Sequence, residues 1–356
     1  MVKPMSDCIL LAHGSGGRLS HELVERLFVK YFHNPLLAQL GDAAVLEVSG
    51  LPFPVAGLPG LQPGASNLKL AFTTDSYVVS PLFFPGGDIG RLAVCGTVND
   101  LAMSGARPVW LSLAFIIEEG LPFEAFERIL DSIAVAAREA GVSVVTGDTK
   151  VVERGKADGV FINTSGVGIV PGGIEVSSSL ARAGDVVLIN GGIGEHGLTI
   201  MSRREGIDFG SNLASDMAPL SNLTVPLLSR VRGVRGMRDA TRGGLAAILN
   251  EIAADSKVCI RLDEEAIPVS ETVRTACELM GYDPLHIANE GKFVAVVAKE
   301  EAEQALAIMK AHPLGRGAAR IGEVVPKPPG VVILKTAFGG ERVVDIPYGD
   351  LLPRIC

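Results

Sequence analysis

The chain has 356 residues, 47% of them hydrophobic and 20% charged. This is the composition of a globular protein, too apolar for a disordered chain. A formal net charge of −8 disfavours general nucleic-acid binding, because an acidic surface repels phosphate backbones. The length suggests two domains. No stretch reaches the ~20 apolar residues of a membrane span. The apolar run 8–12 is too short for a signal-peptide core, so a cytoplasmic protein is expected. Five cysteines, Cys8, Cys95, Cys259, Cys277 and Cys356, lie far apart with no C-x-x-C pair. That argues against a disulfide framework or a zinc site.

In chain order, Gly14-Ser15-Gly16-Gly17 precedes a helical stripe of Leu19, Leu23, Leu27 and Tyr31. Glycines before a helix N-terminus suit an anion, or form a plain flexible loop. Residues 50–66 hold four prolines and four glycines and read as an irregular loop. Then follow a strand 68–74, a helix 88–105, a strand 109–117 and a helix running from Pro122 to about Gly141. Residues 142–146 and 160–170 read as strands, and Pro171-Gly172-Gly173 breaks the chain. The second half gives a strand 185–190, helices 195–205 and 221–232 (Ser221 as N-cap), a helix 243–255, a strand 258–262 and a helix 270–280. Strands 293–298, 319–325 and 331–334 surround a helix 300–311. The reading is two α+β domains, 1–175 and 176–345, and a flexible tail 346–356 with few core contacts.

Four aspartates carry the first chemical signal. Asp42 follows Gly41, Asp75 ends a strand, Asp100 follows Asn99 in a helical stretch, and Asp148 follows a strand. Each alone reads as a cap or turn residue. Together they suggest a site where a cation joins carboxylates that would otherwise repel, and Mg²⁺ with phosphate fits that chemistry. No Walker loop is present, so any ATP site is of another class. Gly192-Ile193-Gly194-Glu195-His196-Gly197 matches G-x-G-x-x-G, but no strand with an acidic end follows at the spacing a dinucleotide site needs. In Arg238-Asp239-Ala240-Thr241-Arg242-Gly243-Gly244, Asp239 reads as a metal ligand or a turn cap. The glycines before a helix suit phosphate. Glu290 in Asn289-Glu290-Gly291-Lys292 is a candidate base or a surface-turn residue. Cys356 ends a tail whose eleven extended residues reach ~35 Å, far enough to enter an active site. It reads as a handle for a covalently carried group or as an incidental terminus. Prenylation needs three following residues, and there are none.

Gly-Asp-Ala-Ala (41–44), Thr-Thr-Asp-Ser (73–76), Gly-Thr-Val-Asn-Asp-Leu-Ala-Met (96–103), Thr-Gly-Asp-Thr-Lys-Val-Val (146–152), Arg-Asp-Ala-Thr-Arg-Gly-Gly (238–244), Ala-Asn-Glu-Gly (288–291) and the terminal Pro-Arg-Ile-Cys together resemble the HypE family of hydrogenase maturation proteins. The wider superfamily includes aminoimidazole ribonucleotide synthetase. The resemblance implies a two-domain α+β fold of that type, with mixed sheets and a flexible C-terminal tail, and an N-terminal domain that forms a homodimer. It implies Mg²⁺ on Asp42, Asp75, Asp100 and Asp148, and ATP beside them with Asn99, Asp239 and Gly243. A carbamoyltransferase, HypF, would load Cys356. The resulting thiocarboxamide would be dehydrated to a thiocyanate, with Glu290 removing amide protons and Lys150 stabilising charge. The cyanide would pass to iron on a HypC–HypD complex for the [NiFe] hydrogenase. The loop 50–66 is longer than the family pattern leads one to expect. Two other readings remain open at this stage: a kinase or synthetase of the same superfamily acting on a free small molecule, and a non-catalytic carrier of Cys356.

Overall fold

The computed structural model describes residues 17–32, 39–47, 69–207, 209, 213–346 and 355–356. Cys8, the glycines 14 and 16 and the loop 50–66 lie outside the described residues.

The first half is built on a five-stranded sheet in the order Ala44–Glu47, Lys69–Tyr77, Val160–Val170, Arg107–Glu118, Ser143–Val152. Its pairs are antiparallel except the last, which is parallel. A parallel neighbour needs a crossover, and the helix Phe123–Ala140 supplies it. Pro122 precedes that helix and Gly141 ends it at φ 69°, the left-handed conformation in which glycine carries no Cβ penalty. Strand Lys69–Tyr77 alternates cleanly. Ala71, Thr73 and Tyr77 are buried, while Phe72, Thr74 and Ser76 are exposed. One face of this strand therefore meets the core and the other stays open.

The helix Ile89–Met103 packs on the buried face. Asp88 caps it, accepting from Gly90 N at 2.7 Å and Arg91 N at 3.0 Å. Its sequence is apolar or small on nearly every side, and it is buried on nearly every side. It touches the sheet of its own half and also the helix Ser221–Arg230 and the strand Val234–Asp239 of the second half. The halves thus share this helix. Gly96 lets it approach the sheet, since a Cβ there would lie 2.2 Å from the Tyr77 hydroxyl.

The second half has a seven-stranded sheet in the order Glu341–Val344, Val331–Lys335, Cys259–Asp263, Ala319–Val325, Val186–Ile189, Phe293–Val297, Val234–Asp239. Only Cys259–Asp263 with Val331–Lys335 is parallel. Val186–Ile189 and Phe293–Val297 are buried on both faces, which is why they read as unbroken apolar runs. Two strands, Val234–Asp239 and Glu341–Val344, have no counterpart in the sequence reading. Charged residues and a glycine interrupt their alternation. Ser221 is not the N-cap expected of it. It is the first helical residue, and its hydroxyl is buried without a hydrogen-bond partner. The cap position is Leu220, whose N–H donates to Asn99 Oδ1 at 2.8 Å, so a tertiary contact replaces the local cap.

Of the tail, Ile346, Ile355 and Cys356 are described. Ile355 is buried in the cluster that holds Phe84, Leu198, Met217 and Ile287, so the expectation of few core contacts fails at this residue. Among the described residues, no helix is long and apolar enough to cross a membrane.

Replacing Gly96 by Ala sets two effects against each other. Helix propensity favours Ala by about 1 kcal/mol, and overpacking against buried Tyr77 costs about 1–3 kcal/mol. The clash should win, giving a net loss of about 1 kcal/mol in urea unfolding. A variant as stable as the parent would show that Tyr77 yields freely.

Candidate active site

Three of the aspartates converge. One carboxylate oxygen each from Asp42, Asp100 and Asp239 lies within 4.8 Å of the others. Asp42 precedes the edge strand Ala44–Glu47, Asp100 lies in the last turn of the buried helix, and Asp239 ends the strand Val234–Asp239. The two halves therefore build the cluster jointly. The Thr73 hydroxyl is shared between Asp100 Oδ2 at 2.9 Å and the Asp42 carbonyl at 3.0 Å. Asp75, inside its strand and not at its end, points to the same side. Its Oδ2 accepts from the hydroxyls of Tyr77 and Thr97, each at 3.3 Å.

Burial is the largest influence on the cluster. It pushes Asp42 up to about 6 against the pull of Arg238, with Glu251 and Asp75 adding to the rise. It pushes Asp239 up to about 8, with Asp42 adding to the rise. Burial, then Asp75 and Asp239, raise Asp100 well above the usual carboxylate range. Arg238 is the counter-charge. Burial opposes its protonation, but Asp42 at 3.1 Å and Glu251 outweigh that and hold it charged. His21 lies 3.2 Å from Glu251 and ends the chain of ion pairs. Asp239 Oδ2 is buried and makes no hydrogen bond. An orphaned carboxylate oxygen beside two further carboxylates is a donor set that suits a hard divalent cation, so the residues present fit Mg²⁺.

These groups line a cleft of about 620 Å³ together with Asp75, Tyr77, Thr241, Arg242, Glu290 and Cys356. That size suits a small-molecule ligand. Glu290 is buried. Its N–H donates to Asp216 Oδ1 at 3.0 Å, and its carbonyl accepts from Asn99 Nδ2 at 3.1 Å. Burial first, then Asp239 and Asp216, raise its pKa well above the ordinary value. The charge of Cys356 is the largest influence raising the pKa of buried Arg242.

Other expected site residues stand elsewhere. Asn99 is a staple. Its amide donates to the carbonyls of Ala218 and Glu290, each at 3.1 Å, and its oxygen accepts from Leu220 N. It holds Glu290 in place, and its side-chain groups are committed to the protein. Gly243, at φ 77°, caps the helix Gly244–Ser256 and lies outside the cleft wall. Asp148 and Lys150 are exposed on the strand Ser143–Val152 and pair with each other at 3.0 Å. The register runs Asp148–Ala114–Asn163–Ser76 across the sheet. Three strand spacings put Asp148 roughly 14 Å from Ser76, on the open face and opposite Asp75. Within one chain it does not join the cluster.

The G-x-G-x-x-G segment is committed to internal hydrogen bonds. Gly194 N donates to Asn289 Oδ1 at 2.7 Å, Ile193 N to Pro268 O and Gly197 N to Ala288 O, each at 3.0 Å. The segment clamps the Glu290 turn and offers no anion cradle from these groups. Glu251, Tyr77 and Thr97 were not singled out in the sequence. Glu251 meets Arg238 from 13 residues away and Thr97 meets Asp75 from 22, while Tyr77 joins them through Thr97, 20 residues off, as well as through Asp75 on its own strand.

The sequence matches the family of AIR synthase related proteins, with the N-terminal domain at residues 41–170 and the C-terminal domain at residues 182–335. The carbamoyl dehydratase HypE of Bradyrhizobium diazoefficiens is 53% identical over 352 residues, 99% of this chain and 97% of that protein. A crystal structure of a HypE–HypF complex superposes with a TM-score of 0.82 at 48% identity, covering 91% of this chain and 99% of the other. A crystal structure of the hydrogenase maturation protein HypE in complex with ATP gives a TM-score of 0.79 at 47% identity, covering 98% of this chain and 100% of that one. With both domains matched and half of its residues identical along nearly the full length, the chain belongs to the HypE carbamoyl dehydratases, within the AIR synthase related family.

Proposed function

We propose that this chain uses ATP and Mg²⁺ to dehydrate a thiocarboxamide carried on its own Cys356 to a thiocyanate, as a source of cyanide for the iron of [NiFe] hydrogenase. The observation that carries the reading is the cleft itself: Cys356, Glu290 and the aspartate cluster line one cavity. Relatives of about 50% identity bear the dehydratase name, and one is solved with ATP.

The amide oxygen of the S-bound carbamoyl group attacks the γ-phosphorus of ATP, and ADP leaves. The nitrogen then loses its two protons, the C–O bond breaks, phosphate departs and a nitrile remains on sulfur. A poor leaving group has become phosphate, and phosphoryl transfer asks mainly for positioning and charge neutralisation. Asp42, Asp100 and Asp239, with Asp75 close by, would hold Mg²⁺, which would neutralise phosphate charge. Glu290 takes a nitrogen proton. Its burial makes its carboxylate a stronger proton acceptor than an exposed one. Arg242 sits beside Cys356 and adds positive charge at the reacting end.

The open face of the first sheet supports a homodimer. Phe72, Trp110 and Ile116 are exposed there at 46%, 38% and 45%, an apolar patch of the kind that marks an interface. Asp148 and Lys150 lie on the same face, so a second copy placed there would receive them, and they would serve its site in place of their own. A HypF-type carbamoyltransferase would load the thiol, as a relative's complex with HypF suggests. A HypC–HypD complex in the cytoplasm would accept the cyanide.

Cys356→Ala should abolish product formation while leaving ATP affinity within about threefold. Intact-mass analysis tests this directly: the carbamoyl adduct on the parent chain should lose one water only with ATP. Activity retained on a free small molecule by Cys356→Ala would overturn the reading.

The raised carboxylates give a pH prediction. An acid with a folded pKa above its unfolded value costs no stability below the unfolded pKa. It lowers stability as pH climbs through the folded pKa. For Asp42 and Asp239 those values are about 6 and about 8. Without cation, stability should therefore fall between pH 4 and pH 8. Mg²⁺ binds the ionised forms, so its gain in melting temperature should be small at pH 5.5 and larger at pH 8.5. A gain that does not vary with pH would place the ion elsewhere.

A further inference from the structure

His196 is fully buried, lies outside the cleft wall and takes no part in the reaction proposed above. It stands in the first turn of the helix Glu195–Glu205. Its Nε2 is 2.7 Å from the carbonyl oxygen of Ile355, the penultimate residue. A carbonyl only accepts, so Nε2 carries a proton and donates it. Its Nδ1 is 2.7 Å from the Ser215 hydroxyl. Burial lowers the pKa of His196, and in the neutral ring Nδ1 is the acceptor for the hydroxyl proton. The Phe84 ring meets the imidazole edge-on at 5.8 Å, and Ser215 N is anchored to Pro85 O at 2.9 Å. The ring is thus fixed in plane and in tautomer.

One residue further on, Val78 N donates to a terminal oxygen of Cys356 at 3.2 Å. Two successive residues of the tail are therefore tied by their main-chain oxygens, and the Ile355 side chain is buried beside Phe84 and Leu198. With the backbone fixed on both sides, the Cys356 side chain has only its own torsion left and faces the cleft. Val78 adjoins Tyr77 of the cleft wall, so the second tie registers the tail against the strand that carries Asp75.

We infer that His196, braced by Ser215, is a latch for the C-terminal tail: a positioning residue that sets how often the thiol-borne group sits in the cleft. The inference rests on the proposed function only in what that group is. Loading requires the thiol to meet a carbamoyl-donating enzyme, and dehydration requires it beside the aspartates. The ratio of latched to released tail therefore governs both steps, in opposite senses. A single neutral hydrogen bond shifts such a ratio by roughly 3- to 10-fold.

The test uses the full-length chain and three variants: His196→Ala, His196→Gln, which keeps a side-chain N–H donor, and Ser215→Ala, which leaves the imidazole in place but removes its brace. The first measurement is the rate of iodoacetamide alkylation at Cys356, followed by peptide mass. His196→Ala should raise it about 10-fold and Ser215→Ala about 3-fold, with His196→Gln near the parent. The second is single-turnover loss of water from the pre-carbamoylated chain at saturating ATP. It should slow in the same order with the KM for ATP unchanged, while carbamoyl loading is as fast or faster. Equal alkylation rates in parent and Ser215→Ala would overturn the latch even if His196→Ala failed to fold. If the parent itself loses no water with ATP, the proposed reaction falls, and the alkylation rates still decide the latch.

Discussion

Three carboxylates held within 4.8 Å of one another in a largely buried place are the constraint around which this molecule is arranged. Charge of one sign without water is tolerable only with a counter-charge or a proton. Arg238 is shared between Asp42 and Glu251. Asp239 keeps an oxygen with no partner, and burial raises the pKa of every member of the cluster. The unmet charge is a structural cost, and it is useful only if a cation with its phosphate ligands relieves it.

The cluster also explains why the two halves are not independent units. Asp100 is the half-buried position of a helix packed between elements of both halves, and it faces the cleft they share. Its neighbour Asn99 reaches across to Ala218, Leu220 and Glu290. The residue beside the aspartate cluster therefore fixes the position of Glu290. Slippage of one half against the other by an ångström would open the cluster, detach Glu290 and leave several buried polar groups unpaired. Strong hydrogen bonding between the halves is what keeps the site geometry.

Much of this was legible in the sequence where a local rule governs. Pro122 and Gly141 bracket a helix, Ser270 caps another by accepting from Val273 N at 3.3 Å, and the apolar runs 186–189 and 293–297 are strands buried on both faces. The aspartates stood out because small residues or an asparagine adjoin them, and Asp42, Asp75 and Asp100 do meet in one cleft. Parity was the limit. Strand Ser143–Val152 runs past Asp148, and a side chain in a strand interior belongs to one face only. Register with Ser76, set three strands away, sends Asp148 and Lys150 to the open face. No sequence window contains that information. Glu251 and Tyr77 escaped for a related reason: their roles depend on partners brought together by the fold. His196 was hidden inside a glycine motif whose familiar meaning concerns phosphates. Here that motif grips Asn289 and Ala288 instead.

On the function proposed above, a reactant carried on Cys356 would have to be held firmly enough to react and loosely enough to be loaded. The magnitudes suit that demand. Burying Ile355 contributes about 1.5–3 kcal/mol, and the two main-chain hydrogen bonds add about 0.5–1.5 kcal/mol each. Ordering Ile355 and Cys356 costs about 2–4 kcal/mol in backbone entropy. The two sides nearly cancel, so small changes in either decide where the thiol spends its time. A larger apolar anchor at position 355 would trap the tail inside, and an alanine there would leave it outside. An isoleucine with one imidazole and one strand amide sits between those limits. The same balance gives any ligand that fills the cleft leverage over the tail, because a contact of only 1–2 kcal/mol to the docked form is enough to invert the population.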